Sequence, residues 1–524
     1  MAHAALNEVC SHPDPDLTTA LERLPQAATL TALIVAAWQV ARVLACRLLE
    51  HELTRRAAQP ASPGICPQCG QRRQSKGRCA RQITTLVGTL HWRRRVYRCP
   101  QSCASGQVVP LDRALGLQPQ QRTSTEVQHL ACLLAVFVPF ELVSGLLQRC
   151  CGVTVSPGAI WQWVQRHGQQ ASQHLEAEIT ALEEGTAPPS EVPDEATRQR
   201  PLLIGADGVM APFRPQEGTP KGKTRWREVK VGILARLGQR RTRRGESVTR
   251  LEQRRVVGVL GDTAALQARL WLEARRQAIT SSPTVVWISD GARGLWNIFA
   301  ACFASYAIGV LDFYHVMQNI WQVLLTCADK TDACQAEARR WFAWMWFALR
   351  RGEQDEVLAK IQRGSTLAGL SPTQRAELTR LSAYLERHRE HIDYQRYKEL
   401  GLPTGSGMVE STCKWLIQQR FKGVGMRWSE DGFTHLLHLR LCWINGGSMR
   451  SFRVSPPTDR CARFATMCLW LVTCSGIRRK DSPGFVVPRM RWSCLADRKA
   501  IAGRTSSGKR TGSRRRSCLK CNHR

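Results

Sequence analysis

Between residues 202 and 311 the apolar runs fall in an order that restricts the fold more than any other feature of the chain. LLIGA (202–206), VKVGILARL (229–237) and RVVGVL (255–260) read as successive strands. AALQARLWLEARRQAI (264–279) then reads as a helix, VVWI (285–288) as a strand, residues 294–303 as a helix and AIGVL (307–311) as a strand. Consecutive strands can pair as an antiparallel meander, whereas strands joined through a helix need a crossover and pair in parallel. The expected fold class is therefore α/β with a mixed sheet.

The flanking segments differ in character. Residues 1–58 have helical spacing, and Pro60, Pro63 and Gly64 break the chain before a cysteine-rich basic module at 60–110. Residues 111–183 are again helical, 184–201 form a proline-rich linker, and 202–447 make the α/β domain, with a helical insertion at about 316–403. The last 77 residues, 448–524, carry 19 Lys and Arg against three acids and little periodicity, which predicts a disordered basic tail. Residues 29–49 and 130–147 are apolar but interrupted by Gln39, Arg42 and Arg47, and by Pro139 and Glu141. Both read as buried amphipathic helices rather than membrane spans.

The net charge is +33, which points to a polyanionic partner, nucleic acid first. No signal-peptide pattern precedes the first domain, so the 21 cysteines are read as thiols of a reducing, cytoplasmic compartment. Four of them, Cys66, Cys69, Cys99 and Cys103, flank a strand–Gly88–strand pattern. Two close thiol pairs at the ends of a hairpin suit the tetrahedral demand of structural Zn²⁺. From Cys66 to Cys103 there are nine Lys or Arg, including Arg93, Arg94 and Arg95, and no acid. Such a hairpin is either a DNA-contacting module or a structural ribbon with a solvated face. Residues 140–167 read as helix–turn–helix, capped at Ser156 and Pro157 with Ile160, Trp161 and Val164 on one face. A plain helical hairpin fits equally well.

Three acids stand beside glycines at structurally informative places: Asp207 after LLIGA, Asp290 after VVWI, and Glu410 at the start of a late helix in GSGMVEST. Gathered carboxylates repel unless cations hold them, and a pair of Mg²⁺ or Mn²⁺ ions can clamp both oxygens of a phosphodiester displacement. The motifs IGADGVMAPF (204–213), VVWISDGARGLWN (285–297), LDFYHVMQNIW (311–321) and GSGMVESTCKWLIQQRFKGVGMRWS (405–429) resemble those of DDE transposases of the Kra-type bacterial insertion sequences. That resemblance implies a ribonuclease-H-like core with an all-α insertion and a metal-binding triad of Asp207, Asp290 and Glu410. It also implies Mg²⁺-dependent cleavage and strand transfer at inverted-repeat ends, by a homo-oligomer assembled on duplex DNA with no membrane association. Asp312 and His315 match an Asp-x-x-His found in related enzymes, which makes His315 a candidate phosphate contact or a structural histidine.

Lys221, Lys223, Arg225 and Arg227, and Arg240, Arg241, Arg243 and Arg244, lie in two inter-strand loops that can track a DNA backbone. Arg420, Lys422 and Arg427 offer further cations, and Trp428 a stacking plane or a core side chain. Two rival expectations stand: a catalytically inactive DNA-binding relic, and a ribonuclease or resolvase of the same fold.

Overall fold

The computed structural model describes residues 14–104, 107–186, 193–215, 223–243, 245, 247–328 and 331–446. The tail at 448–524, part of the linker, Lys221 and Arg244 fall outside that set. The central sheet comprises β4 (Leu202–Phe213), β5 (Arg225–Arg241), β6 (Ser247–Val259), β7 (Val285–Ser289) and β8 (Ala307–Leu311), ordered β6-β5-β4-β7-β8. β4, β5 and β6 pair antiparallel, while β4–β7 and β7–β8 are parallel. The expected meander and crossovers are thus present, in a mixed α/β fold. Helices α8 (Thr263–Arg276) and α9 (Arg293–Ile298) make the two crossovers. β7 is buried at every position, as a strand covered on both faces must be. The first three strands run longer than their apolar cores, because the β4–β5–β6 pairing continues into polar sequence.

Each face of the sheet carries its own core. One face packs Leu202, Ile204, Trp287 and α8 against the helical insertion. This insertion consists of α10 (Phe313–Cys327), α11 (Asp332–Arg350), α12 (Gln354–Ser365), α13 (Pro372–Arg387) and α14 (Tyr394–Glu399). The expected continuous helix is broken where Gly352 takes φ +77° and where Ser371 and Gln374 form a capping box that opens α13. The other face packs Val209, Ala211, Val229 and Val231 against α15 (Gly407–Cys413) and α16 (Glu430–Ile444). It also receives α4 (Thr125–Ala135), α5 (Phe140–Cys151) and α6 (Pro157–Glu183), so this helical region shares the core of the sheet. Ser156 caps α6 by accepting from Ala159 N at 3.2 Å, as its sequence predicts. Ile160 and Val164 are buried but Trp161 is 45% exposed, which corrects its assignment to the apolar face.

Upstream, β1 (Gln74–Thr84) and β2 (Thr89–Arg98) form the expected hairpin, joined by a short β3 (Gln107–Val108). The helix Leu30–Ala58 lies against it: Cys46 Sγ donates to Thr89 O at 3.5 Å, and Glu50 Oε1 accepts from His91 N at 2.7 Å. This helix is not the buried amphipathic one its sequence suggested, since Leu30 is 73% and Ile34 60% exposed. It is long and apolar enough by composition to cross a membrane. Its C-terminal half is tied to β2, and its N-terminal half to the preceding helix segment, where Arg23 Nη1 donates to Gln39 Oε1 at 3.0 Å.

Candidate active site and metal centre

The parallel registers assemble the acidic site. Ala206 pairs with Ser289, and Ser289 with Leu311, so Asp207, Asp290 and Asp312 are the next residues on three adjacent strands at one level. Neighbouring strands stand about 4.8 Å apart, which sets these three residues side by side where β7 and β8 end. Asp207 sits inside β4 rather than at its end: β7 stops beside it, while the β5 pairing continues to Phe213. The third element, α15, lies across β4. A Cβ on Gly205 would come within 2.5 Å of Val409 Cγ2, so glycine there lets the helix seat closely and sets Glu410 above Asp207. A π-helical stretch, Lys414–Gln418, follows, a distortion common near functional sites.

Electrostatics ties these side chains into one cluster. Burial pushes the Asp207 carboxyl up to about 6, and the negative charges of Asp290 and Glu410 push the same way. The Gly208 N–H, at 2.7 Å from Oδ1, and the His315 cation oppose that rise. Cys413, one turn after Glu410, donates its Sγ–H toward Asp207 Oδ2 at 3.8 Å. His315 is pushed up to about 9, first by its hydrogen bond to Asp312, against burial, with Asp290 and Glu410 adding to the rise. It therefore supplies a cation at neutral pH.

Asp312 does different work. It is 1% exposed, and its Oδ1 accepts from Tyr314 N (2.6 Å) and His315 N (3.0 Å) as the N-cap of α10. Its Oδ2 accepts from both the backbone N–H and the hydroxyl of Ser406 and lies 3.4 Å from His315 Nδ1. Fully occupied, it clamps the turn before Glu410 to the end of β8 and orients His315. Neither the Ser406 clamp nor Cys413 was singled out from sequence, although the one-turn spacing of Glu410 and Cys413 was a usable signal.

The second site lies at the base of the hairpin. Cys66, Cys69, Cys99 and Cys103 bring their Sγ atoms within 4.8 Å of one another, and Cys69 and Cys99 stand 3.3 Å apart. This cluster could hold a zinc ion, since four soft donors so placed match a closed tetrahedral site. With thiols alone, hydrogen bonding to Cys69 and burial push Cys103 up to about 12, so the group stays a neutral thiol unless a bound cation displaces its proton. Among the described residues the carboxylates form no comparably tight group.

The cations expected to meet DNA divide. Arg93, Arg95, Lys223 and Arg427 are exposed, and Lys422 lies 5.4 Å above the exposed Trp226 ring. Arg225 stands 3.8 Å from Glu430, which also pairs with Arg227. Three expectations are corrected. Arg420 is 2% exposed, donates from Nε to Ala135 O at 2.8 Å and is flanked by the Phe140 and Trp428 rings. Burial lowers it to about 10, and it cannot reach a phosphate. Trp428 packs on Phe421 and Phe433 and donates from Nε1 to Phe421 O at 2.9 Å, so it belongs to the core. Arg94 is held by Asp112 at 3.0 Å and by the Ala80 carbonyl.

Residues 68–456 match the model of an uncharacterised protein family, UPF0236. The chain is similar to the "UPF0236 protein in vanSb 3'region" of Streptococcus gallolyticus, with 24% identity over 371 residues, covering 70% of this chain and 73% of that relative. Among solved structures, the Drosophila P element transposase strand transfer complex matches with 12% identity and a TM-score of 0.28, covering 64% of this chain and 95% of that one. A likeness that distant carries no argument.

Proposed function

The chain belongs to the UPF0236 family, and from its acidic sheet edge we propose that it is a DNA transposase of the Kra-type DDE class. The observation that carries this reading is the register that sets Asp207 and Asp290 side by side with Glu410 seated over them. The strand order, with the second strand antiparallel to its neighbours and the last two parallel, supports a ribonuclease-H-like core.

Asp207, Asp290 and Glu410 would hold the divalent ions, Mg²⁺ or Mn²⁺. When bound, these supply activation of the attacking oxygen and charge stabilisation at the leaving one. The chain's own residues do the rest. His315 places a positive charge beside the carboxylates, where a phosphodiester approaching the site meets it. Asp312 keeps that imidazole charged and aimed, and anchors the helix start that carries Glu410. The zinc hairpin, with Arg93, Arg95 and Arg98, binds the duplex backbone of inverted-repeat ends. The same site then directs the freed 3′-hydroxyl at target DNA, by positioning rather than by a covalent enzyme intermediate. In this reading the protein works as a homo-oligomer on the bacterial nucleoid.

The test is nicking of duplex DNA that carries the inverted repeats flanking the gene. Asp207→Asn, Asp290→Asn and Glu410→Gln should each reduce cleavage by about 10³-fold or more while end binding persists. Normal cleavage by any one of them removes that residue from the site. Binding without cleavage by the unaltered chain in Mg²⁺ would identify an inactive relic, and preference for an RNA·DNA hybrid would identify a ribonuclease.

A further inference from the structure

We propose that Tyr384 is a positioning residue for Asp290: from the helical insertion its hydroxyl stands over the Asp290–Gly291 turn, and it donates to the carboxylate when a metal ion draws Asp290 into its ligating orientation. This rests on the reading of Asp290 as a metal ligand.

Tyr384 lies on α13, remote in sequence, yet its ring edge covers the turn that ends β7. A Cβ on Gly291 would fall 2.2 Å from Tyr384 Cε2 and 2.5 Å from its hydroxyl oxygen, so the contact requires glycine beside Asp290. The hydroxyl is shut off from solvent and forms no full hydrogen bond, with Asn319 of α10 the polar side chain facing it. An unsatisfied buried hydroxyl is costly, and one aimed beside a carboxylate is a donor in waiting.

The same insertion grips the turn from its other side. The Tyr384 ring meets His388 edge-on at 5.4 Å, and His388 contacts Trp296 at 4.7 Å. Trp296 in turn donates from Nε1 to the Asp290 carbonyl at 2.7 Å. Asp290 Oδ1 accepts from Ala292 N at 3.1 Å, which leaves Oδ2 to turn. A bond donated by the Tyr384 hydroxyl, which has no acceptor in the metal-free chain, would remove this freedom. The insertion thereby acts on the carboxylate it frames.

Tyr384→Phe removes the hydroxyl alone. Mn²⁺ binding by the full chain without DNA, read by electron paramagnetic resonance, should weaken about tenfold, the usual consequence of freeing a metal ligand. The metal-free melting temperature should stay unchanged, and cleavage should recover at high Mn²⁺. Gly291→Ala, which displaces the ring, should weaken Mn²⁺ binding in the same way and decides the matter if the first variant fails to fold. Unchanged Mn²⁺ affinity in both variants, with Asp290→Asn still weakening it, overturns this inference alone. Unchanged affinity in Asp290→Asn as well overturns the metal-site reading beneath it.

Discussion

The thiol site and the carboxylate site each converge four side chains, and they are built in opposite ways. Cys66, Cys69, Cys99 and Cys103 come from the two ends of one hairpin, and their sulfurs already lie within 4.8 Å of one another. Neutral thiols tolerate that closeness without an ion. Asp207, Asp290, His315 and Glu410 come from four elements up to about 200 residues apart, and burial, with the charges of Asp290 and Glu410 adding to it, raises Asp207 to about 6. Their positions are therefore set by things other than the ligands: strand register, the Gly205 contact and the Asp312–Ser406 clamp. A local site can rely on its own donors for geometry, whereas a dispersed one needs the fold to hold charges that would otherwise separate.

Removing zinc is the largest expected break in this comparison. Structural zinc contributes on the order of 10 kcal/mol to small modules, so a chelator, or Cys99→Ala, should unfold the hairpin and abolish end binding. The melting of the sheet domain should stay close to normal, as limited proteolysis can show. Simultaneous loss of both would make the hairpin part of one cooperative unit.

The clamp should give the next largest effect. Asp312→Asn weakens the charge-assisted bonds to Ser406 and should cost about 2–3 kcal/mol in urea unfolding. It should also reduce cleavage strongly, although Asp312 holds no metal. Wild-type cleavage in this variant would show that Glu410 needs no anchoring.

The smallest effect separates the sites by pH. Because folding raises the Asp207 pKa, the metal-free protein gains stability from its neutral form below about 4 and loses it as pH rises through about 6. A cation at the site compensates only above that range. Thermal stabilisation by Mg²⁺ should thus be clear at pH 7.5 and nearly absent at pH 5. Equal stabilisation at both would mean that Asp207 is not a ligand.

Much of this was legible before any coordinates. The order of apolar runs marked β4–β8 and both crossovers, and the Cys spacing marked the thiol cluster. Charge alone misled at Arg420 and Arg94. Each lies in a basic stretch, yet each spends its guanidinium on internal acceptors, Ala135 O for one and Asp112 for the other. Trp428 and the Leu30–Ala58 helix misled in the reverse sense, the aromatic going inside and much of the apolar helix staying out.

What the sequence determined by itself is what depends on near neighbours in the chain: strand and helix periods, caps such as Ser156, the cysteine pairs and the excess of positive charge. Only the tertiary structure decided which carboxylates stand at one level, that Asp312 is consumed by Ser406 rather than open to an ion, and that Tyr384 lies on Gly291. The reason is that register and burial are properties of pairs of distant segments. The same residue type is a ligand, a clamp or a core cation according to what packs against it.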